Sequence, residues 1–373
     1  MKIVLLSNHW YPSPRRAGFH HLANAWHSQG HTISFITVGF SIISWLRRDF
    51  RCHFKGIYQA CNKWQHICDK FDSYVFFTLW HPHTTMIPSL DRFLSPYLLY
   101  YDRLIPQTLI ERISEADIIV YESCTALYLF QFFNRISPSA KHIYRVSDDI
   151  RTMKSTPYGM ITLEEKIYQQ FSMISTPCSH LIQKFKKNKN TIIHKHGLHK
   201  EYIDNINTSP YNKKNINIVF CGIGFYDRLS VHLMAKNHPD IYFHIIGIKR
   251  PLGHIPDNIL YYGEIPYRET IPYIKYADVG LYTLKPSASR PMDAYTDSLK
   301  IMQYRYCGLP IIAPDFLNLN REGVFYYTPG QEESCSKTII NAIKHGKHKE
   351  YANEICSWNK VALNILEDAI KCT

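Results

Sequence analysis

The 373-residue chain is long enough for two ordinary domains, and a composition of 45% hydrophobic and 14% aromatic residues excludes a disordered polypeptide. Lys and Arg number 43 against 31 Asp and Glu, a formal charge of +12, which calls for an anionic partner: nucleic acid, an anionic membrane surface or a phosphorylated substrate. The 10 cysteines form no CxxC and no Cys/His zinc spacing, so reduced, mostly buried thiols in a cytoplasmic protein are expected rather than a disulfide framework or a metal site.

In chain order, Ile3 to Ser7 reads as a buried strand, too short and too soon followed by Asn8-His9-Trp10 for a signal-peptide core. A loop with Pro12, Pro14, Arg15 and Arg16 leads into a helix from Ala17 to Ser28, closed by Gly30, and then a strand from Thr32 to Val38. This βαβ unit implies a parallel sheet. Short apolar runs at Tyr74 to Thr78, Asp117 to Tyr121, His142 to Val146 and Met173 to Thr176 continue it. The longest apolar stretch, Ile118 to Phe133, is interrupted by Glu122, Ser123 and Gln131 and falls short of a membrane span. Any membrane contact is therefore expected to be peripheral. The segment Ser41 to Tyr58 stands outside the alternation. It mixes Ile42, Trp45, Leu46, Phe50 and Phe54 with Arg47, Arg48, Arg51 and Lys55, a pattern open to two readings, an interfacial segment or an ordinary surface element packed on the sheet.

The stretch from Lys184 to Asn190 is basic and polar, and Lys200 to Asn215 is rich in Asn, Lys and Pro and reads as an interdomain linker. A second alternating set follows, with strands at Asn217 to Gly222, Tyr242 to Gly247, Ile259 to Gly263, Val279 to Tyr282 and Pro310 to Ala313. The expected fold is α/β of the GT-B plan, two Rossmann-like domains with parallel sheets facing across a cleft. The expected domains are 1–205 for an acceptor, 216–355 for a nucleotide, and a helix over 356–373 packing back toward the first domain.

The chemistry is expected at strand and helix ends. Ser298 is an N-cap candidate for a helix containing Leu299, Lys300 and Gln303. Such an end binds anions through free backbone N–H groups and the helix dipole. Lys300 adds a full charge for a diphosphate, and Gln303, one turn on, offers an amide to ribose hydroxyls. Gly222 and Gly224 form a glycine turn after a strand, Glu264 ends another strand, and Tyr282 could lie against a base. In the first domain, Asp148 follows a strand and could take a proton from an acceptor hydroxyl. Asp149 competes for that role, and both could equally cap the helix that follows. Glu122 is a second carboxylate at a strand end, and Arg15 and Arg16 are placed to bind an acceptor anion.

These residues resemble the GumK family of glucuronosyltransferases. The likeness is carried by Pro14-Arg15-Arg16-Ala17, Val120-Tyr121-Glu122-Ser123, Tyr144-Arg145-Val146-Ser147-Asp148, His196-Gly197, Tyr262-Gly263-Glu264, Ser298-Leu299-Lys300-Ile301-Met302-Gln303-Tyr304, Gly308-Leu309-Pro310, Tyr327-Thr328-Pro329-Gly330 and Ser357-Trp358-Asn359. The resemblance implies an inverting, metal-independent transferase without a cofactor, peripheral on the cytoplasmic face of the inner membrane. It implies UDP-glucuronate as donor and a polyprenyl-diphosphate-linked oligosaccharide as acceptor. It further implies Asp148 as catalytic base, with Glu264, Tyr282, Ser298, Leu299, Lys300 and Gln303 at the UDP site. The sequence departs from the family at Gly224, where a methionine is usual, at Leu198-His199, and in the loop from Lys285 to Tyr295 with its Arg290; these changes bear on the sugar more than on the nucleotide. The rivals are a retaining transferase with another UDP-sugar and a non-catalytic sugar-nucleotide-binding subunit. Nucleic-acid binding has only the charge in its favour, since no recognition module accompanies it.

Overall fold

The computed structural model describes residues 1–212, 214–285 and 298–372. The chain forms two compact units, Met1–Lys195 with Trp358–Thr373, and His196–Ser357.

The first unit is built on strands β1 (Lys2–Ser7), β2 (Thr32–Ser41), β3 (Trp64–Cys68), β4 (Phe71–Thr78), β5 (Ile118–Glu122), β6 (Lys141–Arg145), β7 (Met173–Thr176) and β8 (Thr191–Ile193). Their order in the sheet is β3-β4-β2-β1-β5-β6-β7-β8. Every pairing is parallel except β3 with β4. The central strands are apolar on both faces because helices cover both: β5 is buried at all five positions, and β2 at nine of ten. Chain order reverses between β1 and β5, which makes the carboxyl ends of those two strands a topological switch point, where open α/β sheets bind ligands.

The second unit carries β9 (Ile216–Cys221), β10 (Ile241–Ile246), β11 (Ile259–Gly263), β12 (Val279–Leu281), β13 (Ile311–Pro314) and β14 (Val324–Tyr327), in the all-parallel order β11-β10-β9-β12-β13-β14. Its switch point lies between β9 and β12. The crossover from β12 to β13 contains the helix Leu299–Tyr306, which approaches the sheet closely because β12 has a glycine beneath it. A Cβ on Gly280 would fall 2.5 Å from the Tyr304 ring. The Tyr304 hydroxyl donates to the carbonyl oxygens of Val219 at 3.1 Å and Leu281 at 3.3 Å, which anchors the helix over the sheet. Gly280→Ala is therefore expected to destabilise the second unit by about 1–3 kcal/mol through overpacking, read as a lower midpoint in chemical denaturation.

The boundary lies earlier than composition suggests, because the polar segment after His196 packs on the second unit. The Lys275 ammonium donates to the carbonyl oxygens of Ile203, Asp204 and Ile206 at 2.7–2.9 Å. The Tyr306 hydroxyl donates to Asp204 at 2.9 Å, and that of Tyr211 to the Tyr273 carbonyl at 2.6 Å. Lysine and tyrosine donors here compensate for the shortage of apolar residues.

The helix Trp358–Lys371 belongs to the first unit. Trp358, Val361, Ala362, Ile365, Leu366 and Ala369 form its buried stripe at helical spacing. Trp358 stacks on His21 at 5.2 Å, the Trp26 indole donates to the Ala362 carbonyl at 2.9 Å, and His194 meets Asp368 at 3.2 Å. All ten cysteines are free thiols. Among the described residues, no helix is long and apolar enough to cross a membrane.

Candidate active site

The carboxyl ends of β1, β5 and β6 in the first unit surround a cavity of ≈ 550 Å³, within the range of small-molecule sites. Asn8 and His9 follow β1, Glu122 and Ser123 close β5, and Ser147 and Asp148 follow β6; all six line the cavity. The Ser123 hydroxyl accepts from the backbone N–H groups of both Ser147 and Asp148 at 3.0 Å, which fixes the turn. Glu122 is buried. One of its oxygens accepts from the Ser7 hydroxyl at 2.5 Å and the other from the Ser147 hydroxyl at 3.0 Å, with the His9 imidazole at 3.9 Å.

The two adjacent aspartates have different surroundings. Asp149 is claimed by structure: it accepts from the Arg151 backbone N–H at 3.1 Å, capping the short 3₁₀ turn Ile150–Thr152, and pairs with Lys184 at 2.8 Å. Burial opposes its ionisation, but the Lys184 hydrogen bond and charge outweigh it and hold the carboxyl below the usual range. Lys184 also pairs with buried Glu164 at 2.7 Å, which accepts from the Tyr144 hydroxyl at 2.5 Å. Asp148 instead opens onto the cavity. Its carboxyl is reached by solvent yet crowded by the concave wall; this desolvation, and then the charge of Glu122, push its pKa up, while His9 pulls it down. A carboxylate of raised proton affinity that faces a cavity is equipped to act as a general base.

Arg15 and Arg16 do not line this cavity. The Arg15 guanidinium lies over the Phe50 ring at 4.6 Å, while Arg16 donates to the Tyr11 carbonyl at 2.7 Å and sits over that ring. The segment Ser41 to Tyr58 divides its residues between two tasks. Trp45, Leu46 and Phe50 are exposed, at 62%, 66% and 45%. Arg51 is buried, donating to the carbonyl oxygens of Asn8 and Gly39 and pairing with Asp49 at 2.7 Å. It braces the loop beyond β1 against the end of β2 and is not available to an external anion.

In the second unit, Ser298 caps the helix Leu299–Tyr306 by accepting from the Ile301 backbone N–H at 3.4 Å. Lys300 reaches back to the end of β9. Its ammonium lies 4.2 Å from the centre of the Phe220 ring and 5.3 Å from that of Tyr282. Among the described residues, no carboxylate lies within ion-pairing distance of it. Burial lowers its pKa to about 8, with a small opposing effect from the Cys221 thiol. A Cβ on Gly222 would come within 2.5 Å of this ammonium, so only glycine leaves the lysine its place. Tyr282 is buried, its ring against Lys300 rather than open to a stacked base. Gln303 is buried and donates to the Tyr267 hydroxyl at 3.2 Å, and Leu299 packs with Met302 and Ile355. Glu264 is exposed just beyond β11, and a Cβ on Gly224 would meet nothing within 4 Å. Arg290 lies outside the described residues.

Sequence reasoning missed Ser7, His9, Ser147 and Lys184. Ser7 and His9 could have been found as polar residues ending the strand at a switch point. Lys184, in a stretch that looks like solvated surface, gave no signal.

Comparison with solved structures defines the class. The chain superposes on trehalose-6-phosphate synthase OtsA with a TM-score of 0.64 at 11% identity, covering 100% of both chains. It superposes at 0.61 and 11% identity, again over all of both chains, on a structure described as trehalose-6-phosphate from E. coli bound with UDP-2-fluoro glucose. The fold is GT-B. Within that class, residues 5–177 match the family described as glucuronosyltransferase GumK, N-terminal domain. The chain is also 27% identical over 347 residues to the UDP-glucuronate:glycolipid 2-beta-glucuronosyltransferase of Xanthomonas campestris pv. campestris, covering 91% of this chain and 84% of the relative. In sequence the chain is similar to the GumK-type glucuronosyltransferases.

Proposed function

We propose that the protein is an inverting transferase that moves glucuronic acid from UDP-glucuronate to a lipid-linked oligosaccharide, in the assembly of an exopolysaccharide or capsule. The observation that carries the donor half is the Lys300 ammonium, lodged at the end of β9 beside Gly222 and at the capped start of a helix, without a carboxylate partner among the described residues. Asp148 carries the acceptor half. In the proposed reaction its carboxylate accepts the proton of the acceptor hydroxyl as that oxygen bonds to the anomeric carbon. The bond from that carbon to the diphosphate oxygen breaks, and the electron pair leaves with UDP. Lys300 and the free N–H groups at the helix start stabilise the departing diphosphate electrostatically, which makes the step independent of a metal.

Peripheral attachment to the cytoplasmic face of the inner membrane accords with the exposed Trp45, Leu46, Phe93 and Tyr97 of the first unit, interspersed with Arg47, Arg48 and Arg92. Arg47 donates to the Thr84 carbonyl at 2.6 Å, tying its segment to the loop that leads into the helix carrying Phe93 and Tyr97.

Calorimetric titration with UDP, UDP-glucuronate and UDP-glucose in the presence of chelator tests the reading. The expected result is metal-free binding of all three nucleotides, tightest for the glucuronate. Binding without that preference returns the donor to another UDP-sugar, and no binding by folded protein overturns the function.

A further inference from the structure

We propose that Glu122 is a positioning residue for the base: it clamps the turn that carries Asp148 and sets a fixed negative charge against the Asp148 carboxyl. The inference rests on the reading of Asp148 as base and adds a residue to that machinery. Four hydrogen bonds make the clamp. The Ser7 hydroxyl at the end of β1 and the Ser147 hydroxyl beside Asp148 donate to the two Glu122 oxygens, while Ser123 accepts from the N–H groups of Ser147 and Asp148. Glu122 thus bridges β1 to the loop after β6 across the switch point, and both of its oxygens are engaged by hydroxyls that suit a carboxylate. Because Ser147 is held from both its backbone and its side chain, Asp148 is left to face the cavity.

The electrostatic consequence follows from the same arrangement. The titratable groups that act on Asp148 are Glu122, from β5, and His9, from the loop after β1. Asp149 and Lys184 are paired with each other, as are Asp49 and Arg51 at another part of the cavity wall. His81, also in that wall, is bound to the Ser41 hydroxyl at 2.7 Å and held neutral by burial, its pKa lowered to about 3; Arg47, His83 and the Cys124 thiol, whose pKa burial pushes up, complete the charged and titratable lining. Of these, Glu122 is the group whose charge, after burial, raises the proton affinity of Asp148. Two carboxylates in unlike environments, one engaged by hydroxyls and one open to substrate, divide into a fixed charge and a working base.

The test is the pH profile of kcat/KM for Glu122→Gln, which keeps the shape and loses the charge. With the charge gone, Asp148 ionises more readily, so the acid limb is expected to move to lower pH. Plateau kcat is expected to fall several-fold as the base weakens, while UDP affinity stays unchanged. An unmoved acid limb overturns the inference. So does complete loss of turnover at every pH in a folded, UDP-binding variant, since Glu122 would then be acting on the substrate itself. Asp148→Asn, run in parallel, separates the two claims: if it retains both turnover and the acid limb, the base assignment fails and this inference with it. A second measurement stands whether or not Glu122→Gln folds. In protein with aspartate labelled at the side-chain carbonyl carbon, the resonance lost in Asp148→Asn is expected to titrate above the ordinary aspartate value of about 3.9. Titration at or below that value overturns the proposal.

Discussion

Asp148→Asn is expected to abolish transfer while leaving UDP binding intact. The amide keeps the size and polarity of the side chain but cannot accept the hydroxyl proton, and loss of a general base costs about 10²–10⁴ in rate. The proposed nucleotide site is on the other unit, around Lys300, so calorimetric affinity for UDP should be unaltered. Asp149→Asn provides the contrast. It removes a carboxylate that pairs with Lys184 at 2.8 Å and caps the following turn. Its first effect is a lower denaturation midpoint, because a buried ammonium loses one of its two partners. Turnover per folded molecule should fall far less than with Asp148→Asn. If Asp149→Asn is instead the inactive, normally stable variant, the roles have been assigned the wrong way round.

Lys300→Ala is the second large effect. A charge-assisted hydrogen bond to a diphosphate contributes about 1.5–3 kcal/mol, which corresponds to roughly a ten- to hundredfold loss of UDP affinity. Gly222→Ala should act in the same direction by a different route. The added methyl would sit 2.5 Å from the ammonium, and the flexible end of the lysine can yield where backbone could not. The variant is therefore expected to fold normally and to bind UDP poorly because the charge has been displaced. Gly224→Ala, with nothing within 4 Å of the new atom, is the matched control and should bind as the parent does. The pH dependence has a definite sign. With the Lys300 pKa lowered to about 8 by burial, the free site loses its charge as pH rises through that value, and UDP binding should weaken between pH 7 and 9. Since the bound diphosphate favours the ammonium, binding near pH 8 should take up protons, seen as a buffer-dependent enthalpy. Unchanged affinity in Lys300→Ala would remove the lysine from the donor site.

On the proposed function, a lipid-anchored acceptor would present its sugar to Asp148. Trp45, Leu46 and Phe50 lie in the same segment as Arg51, which braces the loop beyond β1 at the cavity. In sequence, the arginines of that segment look interchangeable. In the folded unit one is sequestered by carbonyl oxygens while its neighbours stay exposed, because a guanidinium has enough donors to satisfy several strand-end carbonyls at once.

The order of short apolar runs was enough to give two parallel α/β sheets, because a strand covered on both faces must be apolar throughout and a parallel neighbour requires a helical crossover. The same local logic reached the helix start at Ser298, with Lys300 in its first turn, and the strand ends that carry Glu122 and Asp148. Whether Asp148 or Asp149 faces the cavity was decided by Lys184, 35 residues away in sequence, whose burial against Asp149 and Glu164 is invisible in a run of polar residues. The antiparallel edge strand β3 and the clamp from Ser7 and Ser147 onto Glu122 have the same character. Periodicity and capping are local properties of the chain and can be read from it. Pairing of charges and hydroxyls across strand ends depends on which strands become neighbours, and only the folded sheet supplies that.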